Sequence, residues 1–104
     1  MAGKKILRWH SAAVADLEEA HGYLFERNPE AAQRFAIAVL EAAERLQDFP
    51  EIGAVARDLR PLGRYRHWIY SHYRLIYRID GELIWLLRLW DSRRNPQDLR
   101  VGET

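Results

Sequence analysis

The chain has 104 residues, 48% of them hydrophobic and 30% charged, with a formal net charge of +1 and no cysteine. That composition fits one globular domain spanning residues 1–104 and excludes disulfides and thiolate metal sites. No apolar run approaches the roughly 20 residues of a membrane helix and the start lacks a leader-like apolar stretch, so a cytoplasmic protein without membrane contact is expected.

Lys4 to Trp9 alternates, with Leu7 and Trp9 on one side, and reads as a short strand. Ser11 stands where a helix N-cap belongs, and Ala13, Leu17, Ala20 and Leu24 then recur at helical spacing. Asn28-Pro29 ends this helix and opens another, because proline disfavours helical geometry before it and suits the first helical position itself. The second helix is expected from Pro29 to about Asp48, burying Ala32, Phe35, Ala36, Val39, Ala43 and Leu46. Phe49-Pro50 stops it, leaving an αα-hairpin.

Ile52 to Pro61 shows no period and reads mainly as loop. Three β-rich runs follow: Arg64 to Tyr70, Tyr73 to Ile79 and Leu83 to Trp90. If Asp80-Gly81-Glu82 is a three-residue hairpin loop, Ile79 faces Leu83. Tyr73, Leu75, Tyr77 and Ile79 then share the helix-covering face with Leu83, Trp85, Leu87 and Leu89. The other face carries Arg74, Ile76, Arg78, Ile84, Leu86, Arg88 and Trp90, an open surface with apolar area and cationic donors. The expected fold class is therefore α+β: an N-terminal strand, an αα-hairpin, then a three-stranded antiparallel meander packed on the helices.

Charge is unevenly spread. Met1 to Ala56 has six basic and nine acidic residues, whereas Arg57 to Thr104 has ten basic and six acidic, every basic one an arginine. An anionic partner on the second half, or arginine used for solubility, accounts equally for this. The histidines show no metal-ligand spacing, and there is no phosphate loop or nucleophile elbow, so neither metal nor cofactor is expected. Acidic pairs such as Glu18-Glu19 read as solvated helix surface.

Particular residues carry a resemblance. The Asn28-Pro29-Glu30-Ala31-Ala32 junction and the Phe49-Pro50 stop with Gly53 after it are similar to those of the RelE/ParE toxin superfamily. So are the strand Tyr73-Arg74-Leu75-Ile76-Tyr77-Arg78-Ile79 and the closing segment from Leu86 to Pro96. The resemblance covers Lys4 to about Leu99 and lies closer to ParE-like members. It implies a toxin of a type II toxin–antitoxin module, of the plasmid-stabilisation kind, neutralised by a cognate antitoxin. Arg74, Ile76, Arg78, Ile84, Leu86, Arg88 and Trp90 are the surface expected to receive an acidic, amphipathic antitoxin segment.

The superfamily holds two activities. ParE-type members poison DNA gyrase by protein binding, which is the expectation here. RelE-type members are ribosome-dependent mRNA endonucleases, the alternative. A non-toxic relative that only binds its antitoxin is a third reading. For a nuclease, Arg74 aligns with the strand arginine of RelE-type toxins, and Arg93 or Arg94 with the arginine after the last strand. The tyrosine or histidine that such nucleases carry near the C-terminus is missing from Ser92 to Thr104. His67 and His72 are the titratable replacements near the arginine face, His67 the candidate, while His10 and His21 read as structural. Direct DNA binding by this chain is not expected at a net charge of +1 without a recognition helix.

Overall fold

The computed structural model describes residues 3–102. Strand β1 (Ile6–Trp9) leads into helix α1 (Ser11–Arg27), which starts behind His10 rather than behind Ser11. The imidazole Nδ1 of His10 accepts from the Ala12 amide at 3.0 Å, the task expected of the Ser11 hydroxyl. Asn28 serves two helices. Its amide donates to the Leu24 carbonyl and closes α1, while its Oδ1 accepts from the Ala31 amide at 3.2 Å and opens α2 (Pro29–Asp48). Its extended backbone, φ −158° and ψ 95°, is what Pro29 demands of the residue before it.

The remaining strands are β2 (Ala54–Val55), β3 (Arg66–Tyr70), β4 (Tyr73–Asp80) and β5 (Leu83–Asp91). They join β1 in one sheet of order β1-β5-β4-β3-β2, with β1 parallel to β5 and the other pairs antiparallel. The expected α+β class and meander are present. The sheet is wider than the meander because β1 adds to β5, and because β2 forms inside the stretch expected as loop.

The hairpin register differs from the expectation. Asp80 pairs with Leu83, so the loop is the two residues Gly81-Glu82, with Gly81 at φ +59°. Further along, Ile76 pairs with Arg88 but Tyr77 pairs with Leu86, leaving Leu87 as the extra residue of a β-bulge. The bulge exchanges the faces of β5 before and after it. Ile84 and Leu86, expected on the open face, are fully buried under the helices with Leu89. Trp85 and Leu87, expected under the helices, lie on the opposite side, and Leu83 follows them by alternation. β4 keeps its expected faces, with Tyr73, Leu75, Tyr77 and Ile79 toward the helices.

Two cores result. The larger joins Ala20, Phe35, Val39, Ala43 and Leu46 to the helix side of the sheet, with Leu7, Trp9, Leu17 and Leu24 at its margin. The smaller, on the arginine side, contains Ala56, Tyr65, Ile76, Leu87 and Trp90, covered by Leu59, Leu99 and Val101. The face expected to be open is thus roofed by the loop before β3 and by the segment after β5. Ile76 and Trp90 are 0% and 2% exposed. Tyr77 holds the loop after α2: its hydroxyl donates to the Pro50 carbonyl at 2.6 Å and accepts from the Gly53 amide at 3.0 Å.

Candidate functional site

Of the residues singled out in the sequence, β3 and β4 bring Arg74 and His67 together. Arg74 Nε donates to His67 Nδ1 at 2.9 Å, and its two terminal nitrogens donate to the two carboxylate oxygens of Asp58 at 3.0 and 2.9 Å. Asp58 belongs to the roofing loop, so this fork also ties the roof to the sheet. The Arg74 hydrogen bond holds the Asp58 carboxyl below its ordinary range. Burial, reinforced by the neighbouring guanidinium, pushes His67 below an ordinary imidazole. A Nδ1 that accepts from Arg74 places the proton of the neutral ring on Nε2.

Trp90 lies directly across from Arg74 in the ladder. The Arg88 and Arg94 guanidinium carbons stand 5.4 and 4.5 Å from its ring centre, within cation–π range. Arg88 also donates to the Arg100 carbonyl at 2.8 Å, fastening the segment after β5, and it is ion-paired to Asp16 of α1. Arg78 is 8% exposed, so it too belongs to the interior of this face. The arginines expected to greet a ligand on an open surface are instead largely enclosed.

Arg93 and Arg94 sit on the chain just past β5, and both are exposed. Arg93 folds back on Asp91: Nε donates to one carboxylate oxygen at 3.0 Å and a terminal nitrogen to the other at 2.8 Å. This pairing lowers the Asp91 pKa and raises that of Arg93. Beside them a cleft of about 330 Å³ opens between α1 and the end of β5, lined by Glu19, Tyr23, Tyr73, Asp91, Arg93 and Arg94 among others. Burial, with the Asp91 charge next in weight, raises the Tyr73 phenol above its ordinary value. His72, at the β3–β4 turn, has its Nδ1 3.2 Å from the Ser71 hydroxyl, away from Arg74.

Chemically, Arg74 is a poor phosphate ligand as it stands, because an incoming phosphate must displace a bidentate carboxylate. Asp58, Asp16 and Asp91, the counterions of Arg74, Arg88 and Arg93, were not singled out in the sequence. The available signal was general: arginines in a sheet interior require carboxylate partners, without indicating which. Among the described residues no group of three or more histidine, aspartate or glutamate side chains could hold a metal ion. No described helix is long and apolar enough to cross a membrane.

Residues 7–96 match the model of a family described as the ParE toxin of the type II toxin–antitoxin system parDE. No curated protein matches the chain significantly. Among solved structures, the chain is similar to one in a chromosomal ParDE toxin–antitoxin system from P. aeruginosa, at 22% identity and a TM-score of 0.69, covering 85% of this chain and 96% of that one. It is also similar to one in the RelBE2 toxin–antitoxin complex from Mycobacterium tuberculosis, at 23% identity and a TM-score of 0.62, covering 88% and 94%. At these identities the likeness shows a shared fold.

Proposed function

Since this chain belongs to the ParE toxin family of type II toxin–antitoxin systems, we propose that it poisons DNA gyrase by protein–protein binding and is held inactive by a cognate antitoxin. One observation carries the choice of binding over RNA cleavage. Arg74, the cation that a RelE-like nuclease would turn on the strained phosphate, has Nε and both terminal nitrogens engaged by His67 and Asp58. RNA cleavage needs a free cation beside a proton acceptor and a proton donor. Arg93 is likewise chelated by Asp91, and the Nδ1 of His67, whose pKa burial lowers, is taken up by Arg74. Binding a protein target needs no such arrangement and no cofactor.

The antitoxin contact is assigned to the arginine side of the sheet. Both structural neighbours come from toxin–antitoxin systems, which supports such a partner. Arg74, Arg78, Arg88 and Trp90 remain on that side, Ile76 lies beneath its roof, and Ile84 and Leu86 drop out as interior residues. An acidic segment would therefore meet the roof and its margin, where Arg57, Arg60 and Arg94 are exposed beside Leu62 and Ile69.

The mRNA-cleaving alternative has one observation in its favour: the cleft beside Arg93 and Arg94 contains Tyr23 and Tyr73, phenols of the kind missing from the C-terminal segment. The decisive experiment is pulse-labelling after induction of this chain alone in a bacterial host, in its natural compartment, the cytoplasm. Early failure of thymidine incorporation with continuing translation is the expected result. Early collapse of amino-acid incorporation assigns the ribosome and mRNA as target instead. Growth unaffected by folded protein would identify a non-toxic relative.

A further inference from the structure

Between Glu51 and Asp80 the chain carries six arginines, Arg57, Arg60, Arg64, Arg66, Arg74 and Arg78, and a single acid, Asp58. That one carboxylate is the group seated on Arg74, with one oxygen on each terminal nitrogen. The two terminal nitrogens of a guanidinium form a fork that fits a planar carboxylate, and the bond from Nε to His67 fixes the direction in which this fork points. The fork stands on β4 and its arginine side chain is 13% exposed, whereas Asp58 is 52% exposed and rides on a loop.

The loop is closed at its base, where the Ala56 amide donates to the Tyr65 carbonyl at 2.9 Å. Between those two residues only Leu59 is not exposed, so most of the loop adds no buried apolar contact. Exposed apolar surface adjoins the fork. Ile69, directly across from Arg74 in the β3–β4 ladder, is 57% exposed, and Leu62 of the loop is exposed as well.

We propose that the Arg74 fork is a carboxylate-binding subsite that Asp58 fills as a stand-in, and that an aspartate or glutamate of the antitoxin takes its place, releasing the loop. This rests on the reading that an acidic segment docks on the arginine side. The exchange replaces one carboxylate by another, so the largely buried guanidinium is never left without a counterion. Leu62 and Ile69 offer contacts for the apolar residues of an amphipathic polypeptide. A single-stranded RNA is the poorer occupant, because its bases need aromatic faces to stack on. Trp90, the ring on the other side of Arg74 in the sheet, is 2% exposed.

The test uses the full chain and a fluorescein-labelled peptide of about 12 alternating leucines and glutamates, with a leucine–lysine counterpart and an oligouridylate of equal length as controls. Fluorescence anisotropy should show the acidic peptide binding the unsubstituted chain, and binding Asp58→Asn at least about tenfold more tightly, since the internal competitor is then neutral. Asp98→Asn removes an exposed acid that has no part in the fork, and should tighten binding less than about threefold. Adding Arg74→Gln to Asp58→Asn should abolish the gain, with circular dichroism checking the fold of each variant. Hydrogen exchange follows the same event without any substitution: the acidic peptide should speed exchange in residues 57–64 of the unsubstituted chain. Equal affinity for the unsubstituted chain and Asp58→Asn, a gain matched by Asp98→Asn or surviving Arg74→Gln, or slower exchange in the loop overturns the subsite while leaving an acidic partner in place. Failure of the acidic peptide to bind any of these chains, or preference for the leucine–lysine peptide or the oligouridylate, overturns both.

Discussion

Asp16 on α1 and Arg88 on β5 meet in a two-pronged ion pair, Nε on one carboxylate oxygen at 2.7 Å and a terminal nitrogen on the other at 3.0 Å. The first of those oxygens also accepts from the Leu89 amide at 3.0 Å. Strand β1 ends opposite Leu86, so by Leu89 the edge of β5 away from β4 has lost its ladder partner, and the carboxylate takes the place of the missing strand. Both side chains are largely desolvated, at 12% and 15% exposure.

Removing Asp16 takes the counterion from a largely buried guanidinium, which keeps its bond to the Arg100 carbonyl, and at once leaves a strand amide without its acceptor. Asp16→Ala is expected to destabilise the fold by about 3 kcal/mol, and Asp16→Asn by less because it keeps an acceptor. Urea unfolding with an unchanged slope is the measurement. A loss under about 1 kcal/mol would show the pair to be solvent-screened.

If toxicity works through protein binding, Arg74 is a structural arginine. Arg74→Ala should lower stability, because it leaves His67 and Asp58 without their donor, yet growth inhibition per folded molecule should fall less than about tenfold. Paired measurements of soluble protein and colony formation separate the two effects. Complete loss of toxicity in folded Arg74→Ala protein would count for RNA cleavage.

Acid should weaken the fold in two windows. The depressed His67 pKa means that below about 6.5, the ordinary imidazole value, the unfolded chain takes up a proton that the native chain refuses. Stability should therefore decline as the pH falls from that point toward the folded pKa. Asp58, also depressed, contributes stability that is present above its ordinary 3.8 and is lost as the pH falls below that value through the folded pKa. Thermal melts from pH 8 to 3 should show the first decline, and His67→Gln should remove it. An unchanged profile in that variant would reassign the window to another group.

Two glycines should respond oppositely to alanine. At Gly53 a Cβ would lie 2.6 Å from the Tyr77 hydroxyl and 2.8 Å from the His67 carbonyl oxygen, so Gly53→Ala should cost about 2 to 3 kcal/mol. At Gly22 nothing obstructs it, and Gly22→Ala should stabilise α1 by roughly 1 kcal/mol. Differential scanning calorimetry of both variants checks the pair, and a destabilised Gly22→Ala would contradict the open environment at that site.

The helices were legible because their signals are local: an apolar period of 3.6, Asn28-Pro29 between them and Phe49-Pro50 after them. The strands of the meander were legible from β-branched and aromatic runs, and the residues shared with RelE/ParE toxins pointed to the fold as a whole. The bulge was not, since Leu86-Leu87-Arg88-Leu89-Trp90 is compatible with either face assignment and nothing in its composition marks Leu87 as the extra residue. That one insertion moved Ile84 and Leu86 from the expected partner surface into the core. The counterions were hidden for another reason. Asp16 and Arg88 are 72 residues apart, and Asp58 and Arg74 sit on a loop and a strand whose approach only the folded chain defines. Sheltering of Trp90 by Leu99 and Val101 is likewise a long-range packing outcome, with no periodic signature in the segment after β5.

The parallel pairing of β1 with β5 sets an order of events in time. Among the described residues β1 has β5 as its one ladder partner, far along the chain, and residues 83–91 must emerge before this sheet is complete. Contacts of such sequence separation form late, after the local helical hairpin and the meander. A nascent chain of this toxin is therefore unfinished as a fold until β5 has been made. The cell that makes it has that interval in which an antitoxin can already be waiting.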